Sequence, residues 1–170
     1  MHAADHNLLV KPLADEAATL AFGAELAHAL TPGLVVFLEG DLGAGKTTLV
    51  RGLLRGLGYP GKVKSPTYSL VESHVISGLN FYHFDFYRLN QPEEYLEAGL
   101  DEYFSGVGIC LVEWPDKAAP YLPQPDLRLD LAVAGEGRSA RLAACSARGQ
   151  SCLMKLDSHA ATSSSSPPPA

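Results

Sequence analysis

Six residues stand in the run Gly40-Asp41-Leu42-Gly43-Ala44-Gly45-Lys46-Thr47-Thr48 whose types and spacing suit one chemistry: Gly40, Gly43, Gly45, Lys46, Thr47 and Thr48. That chemistry is the holding of a phosphate chain. Glycines let a backbone turn sharply and bring its N–H groups close to phosphate oxygens. A lysine at position 46 reaches toward β- and γ-phosphates, and a hydroxyl at position 47 offers an oxygen to Mg²⁺. The run fits G-x-x-x-x-G-K-[ST], a motif that needs a strand before it and a helix after it. Both are present in the sequence. Val35 to Leu38 is a short apolar run, and Leu49, Val50, Leu53, Leu54 and Leu57 recur at helical spacing before Gly56 and Gly58 close the pattern.

Two carboxylates compete for the metal. Phe81-Tyr82-His83-Phe84-Asp85 and Ile109-Cys110-Leu111-Val112-Glu113 each read as a strand that ends on an acid. In an α/β sheet, such an end lies beside the phosphate loop. Ser65-Pro66-Thr67-Tyr68-Ser69 is either an ordinary loop stiffened by Pro66 or a switch segment whose Thr67 hydroxyl faces a γ-phosphate. His83 reads as a packed or edge residue rather than a ligand, Trp114 as a core anchor ahead of a base-stacking platform, and Arg88 as a local ion-pair partner ahead of a phosphate contact.

The positioning elements follow in order. Leu8 to Lys11 predicts a short strand. Asp15 and Glu16 open a helix to about Leu30, with Ala17, Leu20, Ala21, Ala24 and Ala27 on one face, and Pro32-Gly33 stops it. Asn90 is expected to cap a helix that carries Glu93 at its third position. Glu93, Glu94, Glu97, Asp101 and Glu102 then read first as a solvated acidic face and second as a docking surface. Leu127 to Val133 and Arg138 to Cys145 alternate as two antiparallel strands around Ala134-Gly135-Glu136-Gly137. Pattern is lost beyond Asp157, and Thr162 to Ala170, with four serines and three prolines, is expected to be disordered. One domain over 1–157 with a tail over 158–170 is the expectation.

The 170 residues are 46% hydrophobic, enough for one domain with a core, and the net charge is −6. Without a long basic stretch, strong nucleic-acid binding by this chain alone is disfavoured, because phosphate contacts supply most such affinity. The three cysteines form no C-x-x-C pair and read as buried reduced thiols. No signal peptide or membrane span is visible, so a soluble cytoplasmic protein is expected.

Four segments together carry a resemblance: GDLGAGKTT (40–48), KSPTYSLVE (64–72), YHFDFYRL (82–89) and ICLVEWPDK (109–117). In this order and spacing the chain, from about Leu8 to Leu156, resembles the bacterial TsaE family, also called YjeE. These are P-loop ATPases of tRNA threonylcarbamoyladenosine biosynthesis. The resemblance implies a P-loop NTPase fold, three-layer α/β/α, with a mainly parallel central sheet and antiparallel C-terminal strands. It implies ATP and Mg²⁺ as ligands. Leu42, Gly43, Ala44, Gly45, Lys46, Thr47 and Thr48 would wrap the phosphates, and Thr47 and Glu113 would hold the metal. Asp85 would act on that metal through water, as a catalytic group with Lys46, Glu113 and Thr67. Glu16, Asp116 and Arg138 match positions near the nucleotide.

The implied role is to support or reset a two-protein threonylcarbamoyl transferase of the TsaB and TsaD type, with tRNA met only through that complex. Two other classes stand beside it. A small-molecule kinase would need an acceptor pocket and a lid, and no lid-length insertion is present. A nucleotide-gated interaction protein would differ only in not hydrolysing. A GTPase reading lacks an N-K-x-D stretch.

Overall fold

The computed structural model describes residues 7–41, 43–66 and 68–164, with side chains to residue 158. The elements are β1 (Leu8–Leu13), α1 (Glu16–Ala27), β2 (Val35–Glu39), α2 (Lys46–Gly56), β3 (Val71–Ile76), β4 (Leu79–Asp85), α3 (Glu93–Glu97), β5 (Ile109–Glu113), β6 (Leu127–Ala134), β7 (Gly137–Ala144) and α4 (Ala147–Ser164). One seven-stranded sheet has the order β1-β7-β6-β2-β5-β4-β3. Its central strands β6, β2, β5 and β4 run parallel, while β3, β7 and β1 join antiparallel to their neighbours. This is the expected mixed sheet. The β3–β4 hairpin turns through Ser77 and Gly78, both at positive φ, as a tight two-residue turn demands.

Alternation along the buried strands builds two cores. Val36, Leu38, Ile109 and Leu111 point to the face covered by Leu26 of α1, Leu49 and Leu53 of α2, and Leu156 of α4. Val35, Phe37, Cys110 and Val112 point to the other, with Phe84, Tyr95 and Leu100. Near-continuous apolar runs are what a parallel strand covered on both faces requires. The second layer is thin, since α3 has five residues and the rest of that cover is 3-10 turns and loop.

Helices α1 and α2 pack with their backbones almost touching. A Cβ at Gly23 would lie 2.3 Å from the Leu49 carbonyl oxygen, and one at Gly52 would lie 2.2 Å from that of Leu20. This contact decides which face of α1 is buried. Thr19, Phe22, Gly23, Leu26 and Ala27 face inward, whereas Ala17 and Ala21 of the expected face are exposed. Apolar residues surround α1, so hydrophobic spacing does not select a face, and glycine-mediated approach does.

Other expectations are corrected. The α1 N-cap is Asp15, whose side chain accepts from Ala18 N at 2.9 Å, but α3 has Pro92 at its N-cap and no side-chain cap from Asn90. Helix α4 continues past Asp157 to Ser164, so Thr162 to Ser164 are helical, and residues 165–170 lie outside the described residues. Ala160 and Ala161 extend a helix by propensity without needing an apolar stripe. Cys110 and Cys152 are buried, and burial pushes their thiols up to about 12 and about 11. Cys145 is exposed instead.

Candidate functional site

Strand β2 delivers the chain to Gly40, whose φ of 139° belongs to glycine; a Cβ there would meet the Leu131 carbonyl oxygen at 2.4 Å. Gly45, at φ 105°, is the N-cap of α2 and offers no side-chain cap. The first N–H groups of α2 are therefore left to face the loop, and a helix start of this kind favours an anion. Burial of Leu49, Val50, Leu53 and Leu54 anchors α2, each contributing about 1.5–3 kcal/mol.

The strand period places the acids. On β4, Phe81, His83 and Asp85 share the face that looks toward α2, and Glu113 shares it on β5, with Asp85 directly beside Glu113 in register. The Thr47 hydroxyl donates to Glu113 Oε2 at 3.5 Å, and His83 Nε2 lies 2.6 Å from the same oxygen. Asp85 is held differently. Its Oδ2 accepts from the Ser65 hydroxyl and its Oδ1 accepts from Tyr87 N at 2.9 Å.

The Lys46 ammonium donates to the Gly40 carbonyl and rests 3.8 Å from the centre of the Trp114 ring. Trp114 itself sits at φ 57°, an uncommon conformation for a bulky residue that turns its indole over the loop. Lys46 is only 5% exposed. Burial holds its ammonium below the usual lysine range, while the carboxylates of Glu113, Asp85, Asp41 and Asp116 pull the other way.

Two cavities flank the loop. One, of about 430 Å³, is lined by Lys46, Thr47, Thr48, Ser65, Asp85, Tyr87, Arg88, Glu113 and Trp114. The other, of about 270 Å³, is lined by Asp15, Glu16, Thr19, Thr48, Glu136 and Arg138. Gly43 and Gly45 border both. The structure thus brings Lys46, Thr47, Asp85 and Glu113 together and puts Glu16 and Arg138 on the opposite side of the loop. Ala44 is buried. Asp116 lines a separate hollow with Phe37 and Pro120, yet lies close enough to act electrostatically on Lys46. Leu42 and Thr67 lie outside the described residues.

Three contributors escaped the sequence reading: His83, Ser65 and Trp114. His83 is fully buried on Glu113, not a packing residue alone, and its signal was the two-residue spacing from Asp85 on one strand face. Ser65 pairs with Asp85, and Trp114 carries Lys46 on its face. Arg88 forms no salt bridge among the described residues; its guanidinium stacks 5.0 Å from the centre of the Tyr68 ring, at the rim of the larger cavity.

Arg138 acts as a strut. From β7 its Nε donates to the Ala44 carbonyl at 3.0 Å and a terminal nitrogen donates to the Gly43 carbonyl, also at 3.0 Å. Arg138→Ala should cost nucleotide affinity about 1.5 kcal/mol, roughly tenfold, with the fold intact. Calorimetric titration with nucleotide checks this, and an unchanged affinity would show that the loop holds its shape without the strut.

The donor set also fits Mg²⁺. Among the described residues no group of three or more His, Cys, Asp or Glu side chains is arranged to trap a metal. Mg²⁺ does not need one, since it takes one or two protein oxygens and completes its shell with water and phosphate. The Thr47 hydroxyl and the Glu113 carboxylate supply such a pair.

A mainly parallel sheet whose phosphate loop runs from a central strand into a glycine-capped helix defines a P-loop nucleotide-binding protein. The family model described as "Threonylcarbamoyl adenosine biosynthesis protein TsaE" matches residues 13–141. The chain belongs to the TsaE family. It is 42% identical over 150 residues to the tRNA threonylcarbamoyladenosine biosynthesis protein TsaE of Haemophilus influenzae, covering 85% of this chain and 95% of that one. To the protein of the same name from Nostoc sp. it is 42% identical over 129 residues, 74% of this chain and 78% of that one. It is also similar to the crystal structure of Bacillus subtilis YdiB, with a TM-score of 0.76 and 35% identity, over 90% of this chain and 96% of that chain.

Proposed function

We propose that this protein binds ATP with Mg²⁺ and hydrolyses it slowly, as an accessory to tRNA N6-threonylcarbamoyladenosine formation. Its partners in this reading are the two proteins of the threonylcarbamoyl transferase, TsaB and TsaD in type. It supports or resets that enzyme in the cytoplasm and meets tRNA only through the complex. The pathway comes from the family and the names of its relatives.

The observation that carries the ATPase reading is the gathering of Lys46, Thr47, Asp85 and Glu113 around one cavity at the C-terminal ends of β2, β4 and β5. In α/β sheets that edge is where ligands bind. Lys46 would exchange its Gly40 carbonyl for phosphate oxygens. Thr47 and Glu113 would hold Mg²⁺, which when bound neutralises charge on the phosphate oxygens. The second cavity, beside Glu16 and Arg138, has room for the nucleoside.

Slow turnover follows from the same geometry. Both Asp85 oxygens already accept hydrogen bonds, so the carboxylate is a poor base for an attacking water. The cation best placed to join late is the exposed Arg88. Steady-state phosphate release should therefore run well below about 10 per second for the protein alone, and rise when both partners are added. Fast turnover that ignores the partners would overturn this reading and favour a free-standing enzyme.

A further inference from the structure

The buried pair of His83 and Glu113 has an asymmetry that packing does not explain. His83 is 0% exposed and Glu113 is 3% exposed, so both polar groups have left water. Such groups persist where they are hydrogen-bonded, and leaving one unmet costs free energy. The His83 ring meets this only in part. Its Nε2 lies 2.6 Å from Glu113 Oε2, while its Nδ1 has no partner among the described residues. An apolar side chain would fill the same space without that cost. Among the described residues, Glu113 is thus the one polar group to which the ring is hydrogen-bonded.

A carboxylate that binds metal needs its plane fixed, and an ionised carboxylate only accepts. With Glu113 as a metal-binding carboxylate, the donor to its Oε2 would be the Nε2–H of His83. The parallel register beside β5 puts this donor two residues before Asp85 on the same face. From there it reaches Glu113 from beneath, on the side away from the cavity mouth. Oε2 is thereby shared between the ring and the Thr47 hydroxyl. Asp85 has its own supports, Ser65 and Tyr87 N, so the two acids are oriented by separate sets of donors.

We propose that His83 is the positioning residue of Glu113: its Nε2–H holds the carboxylate facing the Thr47 hydroxyl and so sets the affinity of the site for Mg²⁺. This rests on the reading of Thr47 and Glu113 as the metal ligands. Removing an outer partner of a metal ligand typically lowers metal affinity about 10- to 100-fold, and that is the loss expected for His83→Leu. Affinity for nucleotide without metal should move far less.

The test is calorimetric titration of the full chain with a non-hydrolysable ATP analogue, in Mg²⁺ and in EDTA. Four variants are compared: His83→Leu, His83→Gln, His83→Asn and Glu113→Ala. Glutamine keeps an N–H donor near the position of Nε2, whereas asparagine falls one methylene short. The Mg²⁺-dependent gain should be lost in His83→Leu and His83→Asn and largely recovered in His83→Gln. A gain that survives in His83→Leu, or in His83→Asn should the leucine variant not fold, overturns the proposal. Equal loss in the Gln and Asn variants overturns it too. If Glu113→Ala keeps the gain, the underlying metal assignment has failed, which is a separate result. Nitrogen-15 NMR of the His83 ring in the wild-type protein gives a readout free of variants: a protonated Nε2 is required, and a bare Nε2 refutes the proposal.

Discussion

Lys46→Ala should lower ATP affinity roughly 30- to 1,000-fold, about 2–4 kcal/mol, the usual consequence of truncating one partner of a buried charged contact. Two features place it at the upper end. Lys46 is the only lysine or arginine lining the cavity that also belongs to the phosphate loop. It is also the group around which Glu113, Asp85, Asp41 and Asp116 gather, so its loss leaves uncompensated negative charge where an anion must bind. Lys46→Met keeps much of the apolar stem against Trp114 and separates charge from packing. If both variants bind ATP as the parent does in calorimetry, while remaining folded, the cavity beside Glu113 is not the phosphate site.

The second large effect is on stability, and it arises far from any charge. Gly52→Ala puts a methyl carbon 2.2 Å from the Leu20 carbonyl oxygen and 2.7 Å from the Leu20 Cα. Neither neighbour is the end of a flexible side chain, so the helices must separate. Overpacking of this kind costs about 3 kcal/mol, which for a domain of this size lowers Tm by roughly 6–12 °C. Gly23→Ala meets the other helix in the same way, against the Leu49 carbonyl oxygen at 2.3 Å. Because α2 begins at Lys46, a shift of α2 also moves the phosphate loop away from Glu113. Nucleotide affinity should therefore fall with Tm in these variants. A thermal melt of Gly52→Ala within a degree or two of the parent would show that the two helices are not locked together.

The phosphate loop, its strand and its helix were legible because each rests on local rules: apolar run, glycines, then helical spacing. The two acids at strand ends were legible for the same reason. What stayed hidden depends on long-range pairing. Nothing in the neighbourhood of His83 tells that its ring meets a carboxylate 30 positions later. The buried face of α1 was misjudged at Ala17 and Ala21 because they are as apolar as the residues that do face inward, and the choice is made by glycines on both helices. The run of α4 beyond Asp157 was missed because helical continuation there follows backbone propensity, with no hydrophobic stripe to mark it. Asp116, carried over by resemblance, is set by the 3-10 turn after Trp114 to face a different hollow.

The strut from Arg138 carries a consequence for how the protein is made. The carbonyls it secures belong to residues 94 and 95 positions earlier in the chain. Strand β2, which launches the loop, likewise finds its parallel neighbours β5 and β6 only much later in sequence. A ribosome delivers the chain from the N-terminus, so the glycine loop emerges long before anything exists to hold it. Closing such distant contacts is slow. The strut on the loop is in place only when the hairpin of β6 and β7 has docked, so the loop takes its final shape late in folding.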